Sequence, residues 1–302
     1  MSSEVVRSPN RRHDREMFYK YVSAATAKAI LRTRTLRWSS PTCFNDPFDV
    51  PRELSFGLTP KQIVEACAQH MSDLIESPPR DTSELLPQIR LILEAVRSGV
   101  SAELKGELLQ GLKLSAAEQN PTGESMDAMR AKWRAELDDF RILCLTESPS
   151  HMAMWYHYAD RYRGVALGFR CVDALDSAWL TARPMVYAAE KPEVYTAIGW
   201  ARLLALRTDV AVRRLLDIST YTKAADWSYE HEWRVLSFKR PADTGSFTDY
   251  GFNPPELAEV YVGPLIGPDD EREVKKLVAT YPEAQALRAS VGMDRQLCFT
   301  RI

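Results

Sequence analysis

Short runs of alternating apolar and polar residues occur near both ends of the chain, and a longer stretch with helical periodicity separates them. The runs MFYKYVS (17–23), RILCLTE (141–147), YRGVALGFR (162–170) and AEVYVG (258–263) are rich in β-branched and aromatic residues and predict strands. QALRAS and QLCFTRI, near the carboxyl terminus, predict closing strands. Because strands and helices mix without a regular βαβ alternation, the pattern predicts an α+β fold rather than a doubly wound sheet.

The middle of the chain, at about 58–140, is predicted to be all-helical. Thr59 suits an N-cap and Pro60 the first helical position. The runs QIVEACAQHMSDLI and SELLPQIRLILEAV that follow carry apolar residues at helical spacing. We therefore expect a flexible amino-terminal segment, 1–16, and then a single α+β domain, 17–302, that contains this region as a helical insertion.

Several shorter elements are predicted around this insertion. AATAKAILRTRTLRWSS predicts a helix followed by a strand. Residues 148–160 predict a short helix capped by Ser148 or Ser150. A further strand is expected at 179–190 and a helix at about 192–217.

The composition narrows the class of protein without naming an activity. With 302 residues, 45% of them hydrophobic, the chain can bury a substantial core, and its net charge of −2 gives no global attraction to nucleic acid or anionic lipid. No stretch approaches the roughly 18 apolar residues of a membrane span, and the amino terminus lacks a signal-peptide core. We therefore expect a cytoplasmic protein with no membrane partner. Its five scattered cysteines contain no Cys-x-x-Cys pair, which argues against a disulfide framework or a structural zinc site.

The common catalytic motifs are absent. No Gly-x-Gly-x-x-Gly follows a strand, GPLIGPDD lacks the Lys-Ser/Thr of a phosphate loop, and no Gly-x-Ser-x-Gly occurs. His151 and His157 are six residues apart and cannot share a helix face as metal ligands. We therefore expect no bound metal.

The clearest candidate for chemistry is YEHEWRVLSF, residues 229–238. On a strand, Glu230, Glu232 and Arg234 would share one face, with adjacent side chains about 6.6 Å apart. Two carboxylates at that spacing can reach different atoms of one small ligand. The alternative is an exposed strand face whose Glu–Arg pair adds little stability.

A second candidate is FYKYVS, in which Tyr19, Tyr21 and Ser23 would face one way and Lys20 the other. A lysine among apolar neighbours either extends its ammonium to solvent or holds an anion or a ribose hydroxyl.

A third candidate, FNDPFD, places Asn45 and Asp46 in a turn between Phe44 and Phe48. The phenylalanines are expected to anchor the loop in the core. The loop is then either a structural clamp or the wall of a site.

The fourth candidate is the aromatic segment TESPSHMAMWYHYAD. Its aromatic stripe is either core or a ligand platform, and the hydroxyls of Tyr156 and Tyr158 require partners if they are buried. Ser148, just after a strand, is a further polar contact.

Together these motifs resemble a family of uncharacterised bacterial proteins known only as a domain of unknown function. The resemblance rests on YKY.S, FNDPF, WYHYAD..RGVALGF, K..DW.YE.EWR and EVYVGP, in that order. It covers about residues 18–50, 141–190 and 222–265, and it leaves the helical insertion outside.

The same order of motifs is also similar, more remotely, to the ADP-ribosyltransferase fold. The late Glu-x-Glu of that superfamily corresponds to Glu230 and Glu232, and Lys20 stands where its nucleic-acid-modifying toxins have histidine. The superfamily's central Ser-Thr-Ser or tyrosine corresponds to Thr146 and Ser148, or to Tyr156 or Tyr158. This resemblance implies a mixed, mainly antiparallel β core and an enzyme that consumes NAD as its substrate, as toxins or phage-defence effectors do.

Cleavage of the nicotinamide–ribose bond develops positive charge on the ribose, which a fixed carboxylate stabilises. By the resemblance, Glu232 would bind the ribose 2′-hydroxyl, Glu230 would orient or deprotonate the acceptor, and Arg234 would keep Glu232 ionised and aimed. Lys20 would bind the adenosine ribose or the pyrophosphate, and Tyr156 or Tyr158 would stack on nicotinamide. The complete NAD-binding prediction is Lys20, Tyr21, Ser23, Ser148, Tyr156, Tyr158 and Arg234, with Asn45 and Asp46 as the substrate loop.

Two other functions remain open. The scaffold could be a degenerate one that only binds a ligand or a protein, or a nuclease or hydrolase could use Asp46, Glu230 and Glu232 around a divalent ion. The acceptor, whether protein, nucleic acid, small molecule or water, is not determined, nor is the oligomeric state.

Overall fold

The computed structural model describes residues 7–46, 49–50, 58–118, 123–190 and 192–302, with backbone only at 118 and 123–130. The predicted α+β fold class is confirmed: a mixed and mainly antiparallel sheet is combined with several helices. The chain divides into two compact units, which we call the sheet unit (1–45, 138–187 and 225–302) and the helical unit (46–137 and 188–224).

The sheet unit holds most of the strands. They are β1 Met17–Val22, β2 Thr35–Ser39, β3 Phe140–Thr146, β4 Val165–Arg170, β5 Arg183–Pro184, β8 Glu232–Phe238, β9 Phe247–Gly251, β10 Leu257–Val262, β11 Gln285–Val291 and β12 Leu297–Arg301, and β6 Val186–Ala188 crosses into the helical unit. The helices of the sheet unit are α1 Ala24–Thr33, α6 Met152–Tyr158 and α9 Pro268–Val278.

The helical unit is built from two parts of the chain. Its elements are α2 Pro60–Glu76, α3 Pro87–Arg97, α4 Ala102–Glu118, most of α5 Gly123–Asp139, α7 Ala197–Leu204, α8 Thr208–Tyr221 and β7 Thr222–Ala224. Helix α2 packs against both α4 and α7. A backbone bridge between Leu85 and Leu206 also joins the two parts. The helices predicted at about 58–140 thus share their unit with residues 188–224.

The large sheet follows the order β12-β11-β10-β4-β1-β3-β2-β9, and β8 pairs along the whole length of β3. Only the β10–β11 pair is parallel among the pairs of the described sheet. The other edge of β3 is shared by two strands: β2 pairs with it at Ile142 and β1 at Thr146. The sheet therefore forks at β3.

The two faces of the sheet carry different side chains. One face is the main apolar core, where Phe18, Leu143, Leu167 and Val235 lie beneath residues of α1 and α9. The opposite face carries Tyr19 and Tyr21 and is covered in part by α6. The predicted alternation along β1 is therefore confirmed.

The end of α6 has an unusual backbone. Asp160, Arg161 and Tyr162 all have positive φ, at 46°, 51° and 69°, a conformation that costs L-residues energy. The Tyr162 N–H donates to the Trp155 carbonyl at 3.1 Å and holds this left-handed turn against the helix. Gly164 follows, and a Cβ there would collide with the Val22 carbonyl.

Several local predictions are confirmed. The helix and strand predicted from AATAKAILRTRTLRWSS are α1 and β2. Thr59 caps α2 in a capping box, with Pro60 in its first turn.

Three local predictions need correction. Helix α6 is not capped by Ser148 or Ser150: its N-cap is His151 and no side chain bonds the cap. The helix predicted at 192–217 is a 3-10 turn followed by α7 and α8. The strand predicted at 179–190 is a 3-10 turn followed by the short β5 and β6.

The described part of the amino-terminal segment, from residue 7, lies against the loop before β5. The Arg12 N–H donates to the Leu180 carbonyl at 2.8 Å, and the Arg11 guanidinium bonds Asp173 at 2.5 Å.

Arg141, a charged residue in the core of the sheet unit, offers a test of the fold. Its side chain is fully buried and donates to Thr248 Oγ1 and to the carbonyls of Asp138, Phe140 and Gly245, at 2.6–2.9 Å. Substitution Arg141→Met leaves buried acceptors without donors and should cost about 2–4 kcal/mol, seen as a lower urea midpoint by circular dichroism.

The matched control is Arg37→Met. The Arg37 side chain is 57% exposed and pairs with Asp249 on the surface, so its removal should cost no more than about 1 kcal/mol. Equal losses in the two variants would contradict a structural role for the buried guanidinium.

Candidate functional site

Lys20 occupies the fork of the sheet. Ile142 and Thr146 use the same edge of β3 to pair with β2 and β1. Cys144, between them, has its carbonyl on this edge. The Lys20 ammonium donates to that carbonyl at 2.8 Å. Lys20 therefore donates a hydrogen bond to β3 at the point where its pairings with β1 and β2 diverge.

Glu232 and Arg234 form a buried ion pair on β8, beside the fork. The guanidinium donates to both carboxylate oxygens, Nε to Oε1 at 2.7 Å and Nη2 to Oε2 at 3.3 Å. Glu232 is 5% exposed and Arg234 is fully buried. Across the sheet, Glu232 lies opposite Thr146, and Arg234 lies opposite Cys144. The prediction that Glu232 and Arg234 share a face is confirmed, and the face is internal.

Glu230 does not share the strand with Glu232, which corrects the prediction of one face for both. It ends a 3-10 turn, Ala225–Glu230, and His231 has a φ of +43°, so the chain turns before β8 begins at Glu232. Nevertheless, Glu230 is only 2% exposed. The left-handed conformation of His231 depends on the local backbone, so the alternation of side chains along a strand does not reveal it.

Two hydroxyl groups hold Glu230 in place. Tyr158, the last residue of α6, donates to Glu230 Oε1 at 2.6 Å. The Thr146 hydroxyl donates to the Glu230 carbonyl at 2.7 Å. Because Thr146 also lies opposite Glu232, both glutamates are positioned around the carboxyl end of β3.

The Cys144 thiol shows how closely the charges approach one another. Burial, followed by the charge of Glu232, raises the pKa of the Cys144 thiol to about 12, and Arg234 and Lys20 act in the opposite direction. Two cations and a carboxylate therefore surround one uncharged thiol. Lys20, Glu232 and Arg234 all lie close enough to Cys144 to affect the pKa of its thiol.

Two aromatic residues that the sequence argument did not assign to the site contact Glu232 and Arg234. The Glu232 N–H donates to the Tyr187 hydroxyl at 2.7 Å. The Phe44 ring lies 5.1 Å from the Arg234 guanidinium carbon, a cation–π contact. The FNDPF motif gave a signal for Phe44, but no pattern pointed to Tyr187.

The other residues predicted to bind NAD bond to or pack on groups other than the two glutamates. The Tyr21 hydroxyl donates to the Ser148 carbonyl at 2.9 Å, and its ring packs edge-to-face on Trp155. The Ser148 hydroxyl bonds that of Ser150. Ser23 is the N-cap of α1, and Tyr156 is 49% exposed. Tyr158, rather than Tyr156, is the tyrosine that contacts a glutamate.

Of the predicted substrate loop, Asn45 is exposed and Asp46 is half-buried. The Asp46 carbonyl accepts the Asp49 N–H at 3.3 Å. The expected anchor Phe48 lies outside the described residues.

A second polar cluster on the same sheet face was missed. The Glu259 carboxylate accepts the hydroxyls of Tyr19, at 3.2 Å, and Tyr261, at 2.8 Å. Burial, followed by the charge of Glu259, raises the pKa of Tyr19 to about 12. Tyr19 and Glu259 both lie opposite Gly168 on β4, and Tyr19 also lies opposite Thr146. This cluster is therefore in the same cross-strand row as Glu232.

Within the described residues, no group of three or more His, Cys, Asp or Glu side chains is arranged to hold a metal ion. Nor does the described part of the chain contain a helix with the length and apolar character needed to cross a bilayer.

One family model matches a part of the chain that includes most of these residues. Residues 154–235 match the family model described as Protein of unknown function (DUF2971). Tyr158, Glu230, Glu232 and Arg234 all fall within the DUF2971 match, whereas Lys20 lies outside it. No curated protein and no solved structure matches the chain.

His151 makes the stability of the fold depend on pH. Its ring stacks on that of His231, with centroids 4.9 Å apart, and His231 Nδ1 lies 3.3 Å from Glu147. Burial, followed by the charge of His231, lowers the pKa of His151, while Glu147 opposes the shift. At His151 the unfolded chain therefore binds a proton that the folded chain resists, so this residue lowers the folding stability as the pH drops below about 6.5.

His151→Gln should accordingly flatten the dependence of the unfolding free energy on pH between about 7.5 and 5.5. Urea denaturation at several pH values measures this. The exposed His157 serves as the control: His157→Gln should keep the wild-type profile. An unchanged profile in His151→Gln would remove His151 from this role.

Proposed function

We propose that this protein is an ADP-ribosyltransferase-like enzyme that consumes NAD by cleaving its nicotinamide–ribose bond. The observation that carries the proposal is the pair of buried glutamates around the end of β3. Glu232 is held by Arg234 through both oxygens, and Glu230 is bonded by Tyr158.

The Glu232–Arg234 pair suits the stabilisation of an oxocarbenium-like ribose. A carboxylate buried beside the sugar interacts with the developing charge more strongly than in water, and its fixed position requires little reorganisation. The guanidinium favours the ionised form of Glu232 and fixes its direction. In the proposed reaction, Glu232 contacts the ribose and Arg234 acts through it as a positioning residue.

Glu230 suits the acceptor side of the reaction. Its carboxylate already accepts a hydrogen bond from the Tyr158 hydroxyl. A water molecule, or the hydroxyl of the molecule that receives the ADP-ribose, would make the same type of contact. Glu230 and Glu232 belong to different backbone elements, the 3-10 segment Ala225–Glu230 and β8. We assign Glu230 to orienting or deprotonating the acceptor.

Lys20 suits the phosphates or the adenosine ribose. An ammonium has three N–H donors, and the Cys144 carbonyl accepts at 2.8 Å from the group. The remaining donor capacity of Lys20 can serve an oxygen of the dinucleotide.

NAD turnover in the purified full-length protein tests the proposal. Glu232→Gln should lower the rate of nicotinamide release by at least about 100-fold, because it removes the charge that stabilises the transition state. Nicotinamide is quantified by chromatography, and circular dichroism confirms that the variant folds. If Glu232→Gln does not fold, Glu232→Asp keeps the charge, shortens its reach and should also lose most of its activity.

Glu283→Gln is the matched control for this experiment. Glu283 is half exposed and pairs with Arg170 at the surface, so its variant should release nicotinamide at the wild-type rate. Wild-type turnover in a folded Glu232→Gln variant would sink the assignment of Glu232.

One observation favours a different function, a non-catalytic module that binds a ligand or a protein. Both oxygens of Glu232 are engaged by Arg234, which is also how a purely structural ion pair would look. If the scaffold is degenerate in this sense, the wild-type protein should release no nicotinamide. Thermal stabilisation by added NAD, without turnover, would then indicate a binding module for the dinucleotide.

A further inference from the structure

A cavity lies within the helical unit, and neither Glu230 nor Glu232 is among its described lining residues. Its volume is about 390 Å³, which is in the range of small-molecule sites. Its described walls come from the carboxyl end of α8, from β7 and from the segment before α7. The described lining residues are Asp49, Ala188, Ala189, Glu190, Pro192, Val194, Tyr195, Ile218, Ser219, Thr222, Lys223 and Ala224.

Buried charges line this cavity. The side chains of Lys223 and Asp49 are only 6% and 4% exposed, and Nζ lies 3.5 Å from Oδ2. Glu190, which is exposed, adds a second carboxylate. The described lining therefore carries two carboxylates and one ammonium.

Ser219 supplies an independent indication that the cavity has an occupant. The residue is 2% exposed, and its hydroxyl bonds no group in the described part of the chain. A buried hydroxyl without a partner is unfavourable, so such groups are normally satisfied by protein, water or ligand. A bound molecule with a hydrogen-bond donor would satisfy Ser219.

We propose that this cavity binds a small organic amine in its protonated form. Its apolar part packs on Pro192, Val194 and Ile218, and its ammonium lies toward Asp49 and Glu190. The Ser219 hydroxyl accepts one of its N–H groups.

The balance of charge selects an amine over a carboxylate. Among the described lining residues, a ligand carboxylate would meet one ammonium and two like charges, whereas a ligand ammonium meets two carboxylates and one like charge. The site uses no residue of the Glu232 cluster, so the inference stands whether or not the protein cleaves NAD.

The test compares three probes with the same ring and different charge: cyclohexylamine, cyclohexanol and cyclohexanecarboxylate. Their binding to the full chain is measured by saturation-transfer NMR, without NAD. Cyclohexylamine should bind with a Kd at least about tenfold below that of the carboxylate, with the alcohol between them.

Three variants locate the binding. Ala189→Trp should abolish it, because Ala189 is an exposed lining residue and an indole there fills the cavity. Ala102→Trp, the same substitution at an exposed position that does not line the cavity, should bind like wild type. Glu190→Gln, also at an exposed site, should weaken the amine by about threefold and leave the alcohol unchanged.

Three results would overturn the proposal. They are no binding of any probe up to about 10 mM, equal or tighter binding of the carboxylate, and wild-type affinity for the amine in Ala189→Trp.

Discussion

The structure depends on how the backbone groups along one edge of strand β3 find hydrogen-bond partners. Strand β3 is bonded along its full length by β8, but its other edge is divided between β2 and β1. The carbonyl between the two pairings is bonded by the Lys20 side chain instead of by a third strand. Since buried carbonyls are rarely left without donors, this contact permits the sheet to fork. The fork in turn places β1, β3 and β8 around one group of charges.

The charges at the fork support one another, which explains how so many are buried. Arg234 neutralises Glu232 with two hydrogen bonds, and Tyr158 provides a donor to Glu230. An isolated buried carboxylate would be strongly destabilising, whereas a paired and hydrogen-bonded one is tolerated. The same pairing is compatible with a catalytic carboxylate and with a structural ion pair.

Residue patterns predicted the elements well where periodicity is strong, as in α1, β1 and the Thr59-capped α2. They also identified Glu232 and Arg234 as partners, because neighbours on one strand face need only local geometry. They failed where a contact joins residues that are far apart in the sequence, or where the backbone takes an unusual conformation. The carbonyl that Lys20 bonds is 124 positions away, and the left-handed His231 takes Glu230 out of the strand. Tyr187 contacts Glu232 because the fold brings the two residues together, and no local sequence pattern indicates that contact.

His231 also divides Glu230 and Glu232 between two different backbone elements. Glu232 belongs to a strand held on both sides, by β3 and by β5, whereas Glu230 ends a six-residue 3-10 segment. Amino-acid changes in that turn can therefore alter the reach of Glu230 while the sheet keeps Glu232 in place. Such an arrangement allows related proteins to diversify one carboxylate during evolution without disturbing the other.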